Sequence, residues 1–193
     1  MFEKEIAEQQ GIASTASSSA GPPVGPSLKK DGAKPLKKDS EPAALKKDTR
    51  PVVIIDWHNT LEIDEILPED NLAALKKVLE VADVRIISWV NSAARRSSTL
   101  QQIRDLIPQE TLKNVKSYQT IWYKCGEGGK VHWATYYKAE TLFDDQPAVC
   151  AGARDWGLVP FPIAGNKPHK GSSFWTFAEA AEAYLKGFDS AAP

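Results

Sequence analysis

Val52-Val53-Ile54-Ile55 is an uninterrupted β-branched run that ends on Asp56. A strand made from it has no polar face to give to water. That fits a strand covered on both sides in a parallel sheet, and it does not fit the alternating strand of a half-solvated antiparallel one. The same form recurs. Val84-Arg85-Ile86-Ile87-Ser88 predicts a second strand and Val115–Trp122 a third. Thr141-Leu142-Phe143 predicts a short fourth strand, ending in Asp144-Asp145. Leu158–Ile163 is the fifth, and Pro160 and Pro162 assign it to an edge because proline cannot donate to a central ladder.

Helical patterns separate these strands. Asn71–Val81 carries Leu72, Leu75, Val78 and Leu79 on one face, with start signals in Pro68-Glu69-Asp70-Asn71. Ser92–Leu106 follows, then the shorter Lys130–Lys138 and Gln146–Trp156. Thr176–Lys186 closes the set, with Gly187 as its expected stop. Strands alternating with helices imply an α/β domain, a three-layer Rossmann-like arrangement around a mostly parallel sheet. Its expected span is residues 51–188, with 189–193 as a short tail.

Residues 1–50 read differently. From Gly11 to Pro26 the chain is largely Ser, Ala, Gly and Pro, too poor in apolar groups to offset the entropy of ordering. Leu28-Lys29-Lys30-Asp31, Leu36-Lys37-Lys38-Asp39 and Leu45-Lys46-Lys47-Asp48 then repeat one tetrapeptide. Residues 27–50 hold seven Lys and Arg50 against four acids, a local charge near +4. A disordered arm is expected, serving as a solvated spacer. Its basic functional reading is contact with RNA or an acidic partner, or nuclear import, but no aromatic residue is interleaved for base stacking.

The chain as a whole has a net charge of −1 and is 42% apolar, so no global field points to a nucleic-acid or membrane partner. Cys125 and Cys150 give neither a disulfide framework nor a CxxC zinc site. The N-terminus lacks an apolar secretory core, and no apolar run reaches the ~20 residues of a membrane span. A cytoplasmic protein without a membrane partner is expected, with a nuclear location offered by the basic arm.

Ligands of parallel sheets bind beyond the carboxyl ends of the strands. Asp56, Ser88 and Asp144-Asp145 all fall there. Val52–Leu61, VVIIDWHNTL, resembles the first motif of the haloacid-dehalogenase-like (HAD-like) superfamily: an apolar strand, a nucleophilic Asp and, four residues on, a Thr. Asp56 and Thr60 match. The second Asp of that motif is replaced by His58. Ser88 resembles the second motif, and Asp144-Asp145 the acidic fourth. Lys130, fourteen positions before Asp144 and opening a helix, suits the third. Lys124 and Lys138 compete for that role. The resemblance covers nearly everything after residue 50.

The resemblance implies Mg²⁺-dependent phosphate-ester hydrolysis through an aspartyl-phosphate on Asp56. Asp56, the backbone carbonyl of His58, and Asp144 or Asp145 would hold Mg²⁺. Thr60, Ser88 and Lys130 would bind the phosphoryl group. His58 stands where the family's phosphatases keep a general acid and base. Three readings stay open: His58 works as that group, it slows dephosphorylation, or it marks a site that binds without turnover. The short intervals from Asp56 to Ser88 and from Ser88 to Lys130 leave room for a flap within Glu62–Asp70 but no large cap. A capless member of this superfamily implies an accessible, bulky or macromolecular phosphorylated substrate, such as a phosphoprotein or a nucleic-acid end, or a lid borrowed by oligomerising. The sequence leaves the oligomeric state open. The alternative function is a catalytically impaired HAD-like module that binds a phosphorylated partner, with the basic arm as a tether.

Other residues carry weaker signals. Trp57 and Trp89 each follow a motif residue, so either is a candidate for the site mouth. Trp122, Trp133, Trp156 and Trp175 are expected to pack. Gly126–Lys130 is an incomplete phosphate loop. His132 and His169 read as surface or packing residues, and Lys167–Gly171 as a polar loop at a substrate-facing edge.

Overall fold

β1 (Val52–Ile55) lies at the centre of a five-stranded sheet with the order β3-β2-β1-β4-β5, parallel throughout. Its neighbours are β2 (Asp83–Val90), β3 (Ser117–Trp122), β4 (Thr141–Asp144) and β5 (Val159–Pro162). Val53, Ile54 and Ile55 are all fully buried, as a run with no polar face requires. This computed structural model describes residues 50–122, 128–166 and 170–190, within a unit that spans Lys46–Pro193. The basic arm, Lys124, Cys125, Gly126-Glu127, Lys167-Pro168-His169 and the last three residues lie outside the described residues.

The helices are α1 (Glu69–Val81), α2 (Ala93–Leu106), α3 (Gln109–Leu112), α4 (Gly128–Tyr136), α5 (Pro147–Asp155) and α6 (Phe177–Ser190). On one face of the sheet, Val53 and Ile55 meet Leu75 and Val78 of α1, Ile103 of α2, and Phe177, Ala180 and Ala181 of α6 in one cluster. α1 also packs directly against α6. Strand alternation turns Ile54 and Leu142 to the opposite face. There α4 and α5 pack together and bury Val131, Ala134, Val149, Cys150 and Ala153. The fold is therefore α/β in three layers, as expected. Among the described residues no helix is long and apolar enough to cross a membrane.

Local chemistry sets the ends. Ser92 lies outside α2 and caps it, its hydroxyl accepting from the amide of Arg95 at 3.1 Å. Pro147 occupies the first turn of α5, where its missing N–H costs nothing. Thr176 caps α6 through the amide of Glu179, and Glu179 returns a carboxylate bond to the amide of Trp175, a variant of the capping box. The prolines do confine β5 to the edge. Val159 N–H donates to Glu140 and Ile163 N–H to Asp144, so Pro160 and Pro162 occupy the alternate positions that face away from β4.

Three expectations need correcting. β3 starts at Ser117 because Val115 still belongs to the turn after α3, its amide donating to Leu112. Gly187 does not stop α6, which continues to Ser190. A glycine costs a helix interior only about 1 kcal/mol, and the buried face of α6 outweighs that. The tryptophans also divide differently. Trp57 is fully buried and donates its indole N–H to Gln102, so it belongs to the core and not to a site mouth. Trp156 and Trp175 are about two-thirds exposed and do not pack, whereas Trp133 is buried and stacks on Tyr137.

Candidate active site

The carboxyl ends of β1 and β4 are locked together where they leave the sheet. Asp56 N–H donates to the carbonyl of Phe143 at 2.9 Å, which extends the β1–β4 ladder by one residue. Asp56 therefore stands beside Asp144. The chain then turns sharply, with the carbonyl of Trp57 accepting from the amides of Leu61 at 3.1 Å and Glu62 at 2.9 Å. Asn59 takes φ +58 within that turn. Gly165 packs so closely that a Cβ there would lie 2.7 Å from the Asn59 carbonyl oxygen, so only glycine fits.

Lys130 reaches this place from α4. Its Nζ lies 2.7 Å from Asp56 Oδ2 and 2.8 Å from Asp144 Oδ2, and all three side chains are buried. The second oxygen of Asp56 accepts from the Trp57 amide at 2.7 Å, and that of Asp144 from the Gln146 amide at 2.8 Å. Asp145 is held by the side-chain amide of Gln146 at 3.0 Å. Asp56, Asp144 and Asp145 can each turn an oxygen to within 4.8 Å of the others'.

Charge counting gives this cluster its meaning. Three ionised carboxylates and one ammonium leave two uncompensated negative charges out of water. Burial raises the pKa of all three acids, against the pull of Lys130. Asp144 is pushed up to about 6. Burial pulls Lys130 down, but Asp144 and Asp56 outweigh it and hold the ammonium above its ordinary range. The cluster could hold a metal ion; a divalent cation would supply the missing two charges, and a hard one would suit three carboxylate oxygens.

The second strand was expected to end at Ser88, but β2 runs on through Trp89 and Val90, which pair with Ile121 and Trp122, so Ser88 lies within the strand near its carboxyl end. Ile55 pairs with Ile86, so Ser88 stands one step past the position opposite Asp56. The hydroxyls of Ser88 and Thr60 are buried and have no hydrogen-bond partner among the described residues. Lys130 fits the place expected of it, and its Nζ also lies 5.1 Å from the centre of the Trp89 ring. Lys138 is exposed in the turn after α4 and does not enter the site. His132 is exposed on α4.

Both ring nitrogens of His58 bond side chains outside the carboxylate cluster. Its Nδ1 lies 2.8 Å from Glu62 Oε2 and its Nε2 3.0 Å from the hydroxyl of Thr99 on α2. Glu62 and Thr99 are both buried. With Glu62 ionised, Nδ1–H donates to it and Nε2 accepts from the Thr99 hydroxyl. Nothing in the sequence pointed to either partner: Glu62 read as the start of a flap and Thr99 as a helix residue. The flap itself is short. Ile63 and Ile66 exchange backbone hydrogen bonds of 2.8 and 3.0 Å around Asp64 and Glu65, both with positive φ, which forms a type I′ turn. Asn71 anchors its base, donating to the carbonyls of Thr60 and Leu61 and accepting from the Ala178 amide.

Beside His58 opens a cavity of about 260 Å³, lined by His58, Trp89, Val90, Asn91 and Arg95. Trp89, a candidate for the site mouth, lines this cavity, as do Asn91 and Arg95, which were not singled out in the sequence.

No family model and no curated protein matches the chain. Two of the solved structures that resemble it serve as examples. One is the D,D-heptose 1,7-bisphosphate phosphatase from Burkholderia thailandensis, 13% identical over 70% of this chain and 98% of that one, with a TM-score of 0.49. The other is a haloacid dehalogenase-like family hydrolase from Streptococcus pneumoniae, 8% identical with the same coverage and a TM-score of 0.52. The second likeness shows the fold alone: a parallel α/β sheet arranged as in that hydrolase.

Proposed function

We propose that the chain is a Mg²⁺-dependent phosphate-ester hydrolase that works through an aspartyl-phosphate on Asp56. The observation that carries this reading is Lys130, whose buried ammonium bridges Asp56 and Asp144 at the carboxyl ends of β1 and β4. In this arrangement the Asp56 carboxylate is fixed in orientation beside a cluster of acids that a divalent cation would offset.

Asp56 attacks phosphorus, and the bond to the leaving oxygen breaks as the new O–P bond forms. Lys130 and the Ser88 and Thr60 hydroxyls take the phosphoryl oxygens. His58, protonated at Nε2 once Thr99 releases it, gives its proton to the leaving oxygen. It then takes a proton from the water that attacks the aspartyl-phosphate, which frees phosphate and restores Asp56. Glu62 keeps the imidazole in place through both steps. Asp56, Asp144, Asp145 and the His58 carbonyl would hold Mg²⁺, which when bound supplies positive charge to the phosphoryl oxygens. The short Ile63–Ile66 turn supports an accessible phosphorylated substrate, of the kind a protein or nucleic-acid end presents.

Phosphate release from para-nitrophenyl phosphate and a panel of phosphopeptides and phosphorylated nucleotides tests this. Turnover that needs Mg²⁺ and is lost in Asp56→Asn is the expected result. No turnover, with Mg²⁺ binding retained, would instead favour a module that only binds a phosphorylated partner.

A further inference from the structure

The cavity lined by His58, Trp89, Val90, Asn91 and Arg95 is linked to the buried cluster through Trp89, whose ring centre lies 5.1 Å from Lys130 Nζ, and has a chemistry of its own. His58 follows Asp56 by two residues, and the Trp89 ring lies over Lys130, so the cavity adjoins the place a transferred phosphoryl group would occupy. Its walls hold a half-buried aromatic ring, a side-chain amide and a guanidinium. Arg95 is exposed and forms no ion pair among the described residues. A planar guanidinium with a free fork matches a phosphate, and an indole face matches a nucleobase.

We propose that this cavity is the leaving-group subsite, and that it takes a nucleotide carrying a second phosphate: base on Trp89, second phosphate on Arg95, Asn91 beside both. The assignment rests on the hydrolase reading for the position of the first phosphate, at Asp56. A free nucleoside bisphosphate and the phosphorylated end of an oligonucleotide share this chemistry. The cavity's volume suits one nucleoside, and a longer strand would leave it towards solvent.

Binding and turnover should be measured separately on the full chain with Mg²⁺. The probes are adenosine 5′-monophosphate, adenosine 3′,5′-bisphosphate, a 5′-phosphorylated oligonucleotide and a phosphotyrosine peptide. Calorimetry should show the bisphosphate bound about tenfold more tightly than the monophosphate, the scale of one charge-assisted contact. Arg95→Ala should erase that preference, Arg95→Lys should keep part of it, and Trp89→Leu should weaken both nucleotides. Equal wild-type affinities, a preference that survives Arg95→Ala, or tighter binding of the phosphotyrosine peptide would overturn the subsite. Bound oligonucleotide as tight as bisphosphate identifies a strand end as the source; weaker binding identifies the free nucleotide. Arg95-dependent preference without turnover would refute hydrolysis and keep the subsite, and turnover without preference would do the reverse.

Discussion

Glu62 and His58 meet 2.8 Å apart, carboxylate to Nδ1, across one tight turn after β1. Glu62 is buried, and its second oxygen is occupied by the amide of Glu65. The imidazole is therefore held from below in a single orientation. His58, which stands where the motif it resembles carries an Asp, therefore has a partner that positions it. Glu62→Gln keeps the shape and removes the charge. Under the proposed mechanism kcat should fall about tenfold with KM little changed, while His58→Ala should cost roughly 10²–10³ in kcat. Steady-state kinetics on both variants checks this, and equal effects on KM alone would contradict it.

The same pair makes a reciprocal prediction. His58→Asp makes the sequence match the motif it resembles, yet it sets two carboxylates against each other across a distance that now holds a hydrogen bond. That variant should be poorly active. His58→Asp combined with Glu62→Gln removes the repulsion and should recover at least several-fold over the single change, a coupling of about 1 kcal/mol or more. A double-mutant cycle on kcat/KM measures it, and purely additive effects would refute the pairing argument.

Among the described residues, Lys130 is the cation that bridges two of the buried acids. Lys130→Met leaves three carboxylates without it. In the absence of divalent metal, stability should drop by roughly 3–5 kcal/mol, the cost of breaking a buried ion pair. Mg²⁺ should restore part of that loss, because it binds the folded state and opposes the same charge. Urea unfolding with EDTA and with Mg²⁺ tests both statements.

The pH dependence has a definite sign. Burial raises Asp144 from its ordinary value to about 6 in the folded protein. Between about pH 4 and 6 the folded state binds more protons than the unfolded one, so this group lowers stability as pH rises. Its penalty is full above the folded pKa and absent below the unfolded one. In EDTA the protein should therefore lose on the order of a few kcal/mol from this group between pH 4 and 7. Asp144→Asn should flatten that slope. Mg²⁺ should bind more weakly at pH 5 than at pH 7.5, because it competes with the proton. Unfolding curves and metal titrations at the two pH values decide the matter.

Much of this architecture was legible in the sequence. Val52–Ile55 has no polar face, and that alone implies a central parallel strand. The strand ends then assign Asp56, Ser88 and Asp144-Asp145 to one rim. Lys130 was one of three lysines put forward from the resemblance, and the fold brings it to both acids. Contacts between distant parts of the chain were not legible. Thr99 meets His58 only because α2 packs over the β1 turn, and periodicity within α2 says nothing about which side chain that will be. Trp57 was misread for a related reason: adjacency to Asp56 suggested the site mouth, but the turn directs it into the core beside α2. Gly187 failed as a stop because tertiary burial of α6 overrides a local preference.

Asn71 is the largest structural surprise. It read as a helix-start residue, yet its amide spans three backbone groups from the flap base to α6. Asn71→Ala would leave those buried groups unpaired and should cost about 2–4 kcal/mol. Chemical denaturation tests it, and a loss under about 0.5 kcal/mol, typical of a surface change, would show that the anchor does not hold the flap.

The central claim is a covalent phosphoryl group on Asp56. His58→Ala should slow breakdown of the aspartyl-phosphate more than its formation, so intact-mass and peptide-mass analysis of that variant, quenched during turnover with Mg²⁺, is the most direct test. The account predicts one added phosphoryl group on the peptide that contains Asp56, absent without Mg²⁺ and absent in His58→Ala combined with Asp56→Asn. Turnover that persists in Asp56→Asn, or a phosphoryl group found on another residue, would contradict it.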